Sequence, residues 1–335
     1  MQGCGRPIGR RSFRLASPSF DLRLIQGSLR PTAARPPQPR GEVKPVKTPD
    51  VIVWSDAVCV VESCRRPTTV EIMPSVHTGD FDCHYADDYF GPPWDTPTPV
   101  VVQAGFGRNG EYWRHWVPGL AGEYRVIRRD MRAHGGSTAG DPDHAWSPEG
   151  LADEVVWFLD ALAIERVHYI GESVGGITGI VLGARHSDRL RTLTLVQTPL
   201  HLRPVGDLMR GGFDTWAGAL RALGPGGWIT QSMPPDAAQT TWERAQWDRC
   251  DTEALCRLAD ATSGVDVTDY VAKIAVPTLV LAPARSHLTP LADQFYLRTT
   301  IPDAQIEVFE GRGHNIYREE ADRCIAGFLQ FAARF

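Results

Sequence analysis

The stretch HYIGESVGGITG, from His168 to Gly179, joins an apolar segment to a run of small residues. Its core, Gly171 to Gly175, has the spacing Gly-x-Ser-x-Gly, which is typical of a strained turn between a strand and a helix. Such a turn holds the serine hydroxyl above the end of the strand, so Ser173 is predicted to be a catalytic nucleophile. The alternative is a structural turn, in which glycines only allow the helix to pack closely on the sheet.

Apolar strands and amphipathic helices alternate on both sides of this turn. The segment PVVVQAGFG, residues 99–107, is a continuous apolar run, as expected for a strand buried on both faces. In SPEGLADEVVWFLDALAI, residues 147–164, apolar residues recur every three or four positions, which predicts a helix with Ser147 as its N-cap. Because the alternation implies crossover connections, we predict an α/β fold with a doubly wound, mostly parallel sheet.

The alternation stops between residues 201 and 272, where we predict a helical cap inserted after the sixth strand. Residues 75–200 and 273–335 then form the core. The inserted segment contains Trp216, Trp228, Trp242 and Trp247. A tryptophan-rich lid suits an apolar or aromatic substrate, so the first three are predicted to bind it. The alternative is that each tryptophan only packs the insert.

The N-terminal segment, residues 1–74, differs from the rest in composition. Its first 40 residues contain eight arginines and one acidic residue, Asp21. A targeting segment has this bias, but so do a disordered tail and an upstream translation start ahead of Met73. We expect a disordered or non-native extension, and a cytoplasmic protein, with a targeting role left open.

Composition restricts the partners. The net charge of −5 and the pI of about 6.1 argue against a nucleic-acid partner, and no apolar run has transmembrane length. The seven cysteines include no CxxC pair, so we expect reduced thiols and no metal site. The segment GFGRNG lacks the acidic partner of a dinucleotide-binding loop, so no cofactor is implied. Oligomeric state is left open.

The candidate base and oxyanion donors follow from chain order. His314 in FEGRGHNIY follows the last predicted strand, where the histidine of a Ser…acid…His order belongs. His134 in MRAHGGS is its main rival, and we interpret it as structural. Backbone N–H groups of Phe106, after the PVVVQAGFG strand, and of Val174, after the nucleophile, are predicted to form an oxyanion hole.

With these residues in place, the chain resembles the α/β-hydrolase superfamily, in its lid-bearing esterase and lactonase branch, which includes 3-oxoadipate enol-lactonases. The resemblance covers about residues 75–335. It rests on the segments AGFGRNGEYW, YRVIRRDMRAHGGS, GESVGG, VPTLVLAPARSHLTP and EGRGHNIY. It implies hydrolysis of a carboxylic ester or lactone, with a small, apolar molecule as substrate.

Three positions depart from the pattern of that family. Ala104 replaces the histidine of the usual His-Gly pair, and Ala133 replaces a usual glycine. Ser286 stands where the family has its aspartate, so the acid of the triad is not identified. We expect Ser286 or a backbone carbonyl to orient His314, or a carboxylate from elsewhere to reach it. The candidates for such a carboxylate are Asp207, Glu310 and Glu172. Asp130 is interpreted as a loop anchor.

The prediction is therefore a serine hydrolase that cleaves a carboxylic ester or lactone through an acyl-enzyme on Ser173, with His314 as base. One alternative is a lyase or carbon–carbon bond hydrolase that uses the same pair. A second alternative is a small-ligand binder without catalysis, which the missing acid favours.

Overall fold

The computed structural model describes residues 51–54, 57–60, 74–231 and 233–335. The chain divides into two units, Met1–Thr69 and Val70–Phe335. In the first unit, strands β1 (Val51–Trp54) and β2 (Ala57–Val60) pair antiparallel. The remainder of the prediction for residues 1–74 lies outside the described residues.

The second unit is built on an eight-stranded sheet. In chain order its strands are β3 (Ser75–Thr78), β4 (Phe81–Asp88), β5 (Pro99–Gln103), β6 (Arg125–Arg129), β7 (Val167–Glu172), β8 (Leu190–Val196), β9 (Thr278–Pro283) and β10 (Ala304–Phe309). Their spatial order is β10-β9-β8-β7-β5-β6-β4-β3. β3 with β4 and β4 with β6 are antiparallel, and all other neighbours are parallel. The prediction of a doubly wound, mostly parallel sheet is confirmed.

Helices cover the sheet and fill the predicted insertion. They are α1 (Val117–Leu120), α2 (Pro148–Ala161), α3 (Val174–Arg185), α4 (Arg203–Met209), α5 (Trp216–Leu223), α6 (Pro225–Thr230), α7 (Ala238–Trp247), α8 (Thr252–Thr262), α9 (Thr268–Val271), α10 (Leu291–Thr300), α11 (Ile316–Glu319) and α12 (Ala321–Ala332), with 3-10 helices at Gly110–Trp116 and Ser187–Arg189. Helices α4 to α9 lie between β8 and β9, the sixth and seventh strands of the large sheet. Among the helices described, none combines the length and the apolar character needed to cross a membrane.

Burial explains why the central elements form. Every residue of β7 and of β9 is buried, as expected for parallel strands covered by helices on both faces. Helix α2 begins where the Ser147 hydroxyl accepts a hydrogen bond from the Gly150 N–H at 3.0 Å, which is the predicted N-cap. Its apolar stripe, including Val155 and Phe158, is fully buried. This packing fixes the carboxyl ends of β5, β7, β8 and β10, where the candidate residues lie.

Candidate active site

Ser173 occupies a strained turn between β7 and α3. Its φ is +53° and its ψ is −114°, a conformation that L-residues rarely adopt. The glycines around it allow this turn to pack. A Cβ on Gly175 would overlap the backbone oxygen of Gln103 in β5, and one on Gly176 would overlap the Thr198 side chain. The surrounding strands therefore determine the conformation of Ser173.

The loop after β5 passes directly beside Ser173. A Cβ on Gly105 would lie 2.9 Å from the Cβ of Ser173, so only glycine allows this approach. Within the described chain, the backbone N–H groups of Phe106 and Val174 donate to no protein acceptor. Phe106 and Val174 line the same cavity as Ser173, so both groups are available to a ligand in it.

Two buried side chains hold this loop in place. His134 accepts a hydrogen bond from the Gly107 N–H through Nε2 at 3.0 Å, and its Nδ1 donates to the Arg132 carbonyl at 2.8 Å. Burial lowers the pKa of His134 to about 4, which keeps the ring neutral and able to accept. Asp130 accepts from the Gly110 N–H at 2.7 Å. Both residues bind backbone groups, as expected for structural roles.

His314 lies in the loop after β10 and lines the same cavity as Ser173. Its Nδ1 lies 3.2 Å from the Ser286 Oγ, which is the only side-chain hydrogen bond of the ring within the described residues. The His314 carbonyl accepts from Gln197 Nε2 at 2.6 Å, which positions the loop. Burial, and secondarily the positive charge of Arg108, lower the pKa of His314 to about 3. The ring is therefore neutral at physiological pH.

The three carboxylates considered as triad acids lie at different places. Asp207 is exposed, 3.9 Å from Arg210, and Glu310 is also exposed. Glu172 is fully buried, with its Oε1 4.0 Å from Nε2 of His314. Nε2 is the nitrogen opposite to the one that a triad acid binds. Only Ser286 contacts Nδ1 among the residues described.

A buried polar network surrounds Glu172, and the sequence patterns did not identify it. Glu172 accepts from Arg108 Nη1 at 2.7 Å, from Gln197 Nε2 at 2.9 Å and from the Gly105 N–H at 2.8 Å. Arg108 also donates to Asn315 Oδ1 at 2.9 Å. These bonds join the nucleophile turn, the loop after β5 and the histidine loop. The only signal in the sequence was the placement of these residues at strand ends.

An apolar cavity opens over Ser173 and His314. It has an empty volume of about 570 Å³, including its mouth. Its lining residues are Phe106, Arg108, Glu172, Ser173, Val174, Leu202, Val205, Met209, Trp216, Trp228, Ile229, Trp247, Thr262, Leu288 and His314. The ring centroids of Phe106 and Trp216 are 4.0 Å apart, and those of Trp228 and Trp247 are 5.2 Å apart. A flat, apolar molecule would fit against these rings.

Trp242, which the sequence predicts to bind substrate, does not line this cavity. Its side chain is 38% exposed and packs on Tyr112, with 4.6 Å between ring centroids. Trp247, five residues further along α7, lines the cavity instead. Side chains five residues apart in an α-helix point in directions that differ by about 140°, so the two tryptophans lie on different faces of α7.

Comparisons with known proteins agree with this architecture. A protein-family profile described as alpha/beta hydrolase fold matches residues 98–233. A putative carbamate hydrolase RutD from Caulobacter sp. is 27% identical over 270 residues, which cover 76% of this chain and 98% of the relative. A 3-oxoadipate enol-lactonase from Acinetobacter baylyi is 26% identical, covering 69% of this chain and 87% of the relative.

A solved structure gives the same result in three dimensions. The enol-lactonase from Burkholderia xenovorans superimposes with a TM-score of 0.64 at 25% sequence identity, covering 78% of this chain and all of that one. The profile, the relatives and the sheet agree on the α/β-hydrolase fold, and the chain is similar to an enol-lactonase and to a putative carbamate hydrolase.

Proposed function

We propose that the protein is a serine hydrolase that cleaves a small carboxylic ester or lactone through an acyl-enzyme on Ser173. The observation that carries this proposal is the shared apolar cavity, which Ser173, His314, Phe106 and Val174 line together. The backbone N–H groups of Phe106 and Val174 have no acceptor among the residues that the structure describes. A serine hydroxyl needs an adjacent base, and His314 is the one titratable ring lining the cavity described above.

The chemistry follows from these positions. His314 Nε2 takes the proton of Ser173 as the hydroxyl attacks the carbonyl carbon. The Phe106 and Val174 N–H groups stabilise the negative oxygen that develops, and the loss of one such donor costs about 10²–10³ in turnover. The protonated ring then gives its proton to the leaving alcohol. A water molecule, deprotonated by His314, releases the acid and regenerates Ser173.

The cavity favours an apolar acyl compound. Aromatic and aliphatic side chains make up most of its lining, and helices α4 to α9 supply Trp216, Trp228 and Trp247 as a cap. The relatives named as enol-lactonase and putative carbamate hydrolase suggest an acyl carbonyl bonded to oxygen or nitrogen. Cys83, Cys250, Cys256 and Cys324 are free and buried, in keeping with a cytoplasmic location.

The test combines covalent labelling with kinetics. The full chain should hydrolyse p-nitrophenyl acetate and butyrate, and a fluorophosphonate should label Ser173. Ser173→Ala should abolish both, and His314→Gln should lower turnover by about 10³-fold or more. Ser187→Ala is the matched control, because Ser187 begins the 3-10 helix beyond the far end of α3.

A non-catalytic ligand binder is the second candidate, because no carboxylate contacts His314 Nδ1 among the described residues. It predicts ligand binding with neither turnover nor labelling. A lyase or carbon–carbon bond hydrolase using the same pair would turn over its own substrate, and a lyase would do so without an acyl group on Ser173.

A further inference from the structure

The hydrogen bonds of Ser286 define how its hydroxyl must point. A hydroxyl has two lone pairs that accept and one proton to donate. The Leu288 N–H donates to Ser286 Oγ at 3.2 Å, and the Thr289 N–H donates to it at 3.1 Å. Both lone pairs are therefore used. His314 Nδ1, at 3.2 Å, is the only remaining partner of this oxygen in the described chain, so the Ser286 proton points at Nδ1.

The ring of His314 must then carry its own proton on the other nitrogen. A neutral imidazole has one N–H and one acceptor nitrogen, and Nδ1 is the acceptor here. Nε2 faces the Glu172 Oε1 at 4.0 Å, and a nearby carboxylate also favours a proton on that side. Two independent contacts thus place the proton on Nε2.

We propose that Ser286 holds resting His314 in the Nε2–H tautomer, in which the base of the proposed mechanism cannot accept the Ser173 proton. This inference rests on the proposed function and refines it. Before attack, solvent water must take the proton from Nε2 and supply one to Nδ1. The Ser286 hydroxyl must also turn its own proton away from Nδ1 and give up one of its two backbone N–H bonds, so that it can accept from Nδ1–H. Turnover is slow because only a small fraction of the molecules carries the Nδ1–H tautomer, which is the reactive one.

An aspartate at position 286 would reverse this preference. An ionised carboxylate has no proton to donate, so it can only accept from Nδ1–H, which leaves Nε2 free. The Leu288 and Thr289 N–H groups already point at this side chain and would stabilise its negative charge. Since a wrong tautomer costs about 10⁴-fold in chymotrypsin-like enzymes, Ser286→Asp should raise kcat by about 10²–10⁴-fold.

The direct test is nitrogen-15 NMR of the full chain labelled at histidine. His314→Gln identifies the His314 signals by their loss. We expect a protonated Nε2 and an unprotonated Nδ1 in the native sequence at neutral pH, and the reverse in Ser286→Asp. Ser286→Ala removes the donor without adding an acceptor, so its kcat should rise far less than that of Ser286→Asp.

Protonated Nδ1 in the native sequence would overturn the proposal, and so would equal gains from Ser286→Ala and Ser286→Asp. The NMR result needs no substrate. If it shows the expected tautomers while neither protein acylates Ser173, the tautomer assignment stands and the proposed function fails.

Discussion

At residue 133 an alanine adopts the left-handed backbone conformation that usually requires glycine. Ala133 has a φ of +64°, its N–H donates to the Thr138 carbonyl at 3.1 Å, and its carbonyl accepts from the Asp251 N–H at 2.9 Å. These bonds hold the strained conformation, which costs an L-residue roughly 1–2 kcal/mol. The resemblance predicted a glycine here, and the backbone still has the conformation that glycine prefers.

Ala133→Gly should therefore stabilise the protein. Relief of strain exceeds the entropy that glycine adds to the unfolded chain, so we expect a gain of about 0.5–1 kcal/mol in the free energy of unfolding. Denaturant titration measures it. Ala272→Gly is the matched control, since Ala272 is exposed with a right-handed φ of −69°, and it should be neutral or destabilising. A lower free energy of unfolding for Ala133→Gly would contradict the argument that Ala133 is strained.

The pKa of His314 predicts an unusual pH profile. Neutral imidazole is the active base, and a pKa of about 3 keeps it neutral in mild acid. The acid limb of kcat/KM should therefore lie below about pH 5, instead of near the ordinary histidine value of about 6.5. Brief assays between about pH 4 and pH 8 measure it.

The comparison variant for this profile is Ser286→Asp. A carboxylate at Nδ1 favours the imidazolium, so the pKa of His314 should rise and the acid limb should move to higher pH. If the acid limb of the native kcat/KM profile lay near pH 6.5, it would contradict the lowered pKa of His314.

At the scale of elements, α7 offers a matched pair of tryptophans. Trp247 lines the cavity, whereas Trp242 packs on Tyr112 outside it. Trp247→Leu should raise KM for a bulky aromatic ester roughly tenfold, because lost apolar contact in a pocket costs about 1–3 kcal/mol. Trp242→Leu should leave KM within about twofold. Steady-state kinetics of both variants measure this difference. Equal changes in KM would contradict the conclusion that only Trp247 faces the cavity.

Local sequence patterns predict where the helices and strands form, but they do not always predict which face of a helix points inward. The apolar segments before residues 107 and 173 correctly predicted β5 and β7, and Ser147 as N-cap correctly predicted the start of α2. The helix α7, with sequence AQTTWERAQW, has no continuous apolar stripe, so its sequence does not indicate which tryptophan faces inward. Helices α11 and α12 are separated at Glu320, whose φ is −128°.

At the scale of the whole molecule, three histidines with lowered pKa values make stability depend on pH. Burial lowers the pKa of His134 and of His168 to about 4, and that of His314 to about 3. Below the unfolded value of about 6.5, the unfolded chain binds protons that the folded chain does not. Stability is therefore complete above that value and is lost as pH falls. Each group contributes on the order of 1–2 kcal/mol between pH 7 and pH 5.

The melting temperature should accordingly fall by roughly 10 °C from pH 7 to pH 5. His168→Gln should remove about a third of this dependence, while His77→Gln, at an exposed site, should keep it. Calorimetry at the two pH values measures the effect. An unchanged melting temperature would mean that the three rings take up protons in the folded state.

The sequence predicted which residues line the candidate site better than it predicted the hydrogen bonds between them. Ser173, His314 and Ser286 follow motifs at strand ends, which a parallel sheet gathers at one edge. The network of Glu172 does not follow from any motif, because its partners lie 25 to 67 residues away, and Arg108 reaches Asn315 across 207 residues. Such contacts depend on how the loops pack after the sheet has formed.

The most direct measurement is the mass of the chain during turnover. The protein is mixed with p-nitrophenyl butyrate, quenched in acid within seconds, and digested for mass spectrometry. We expect one butyryl group, located on Ser173, and none in Ser173→Ala. Product release without acylated Ser173, or acylation at another residue, would contradict the proposed acyl-enzyme.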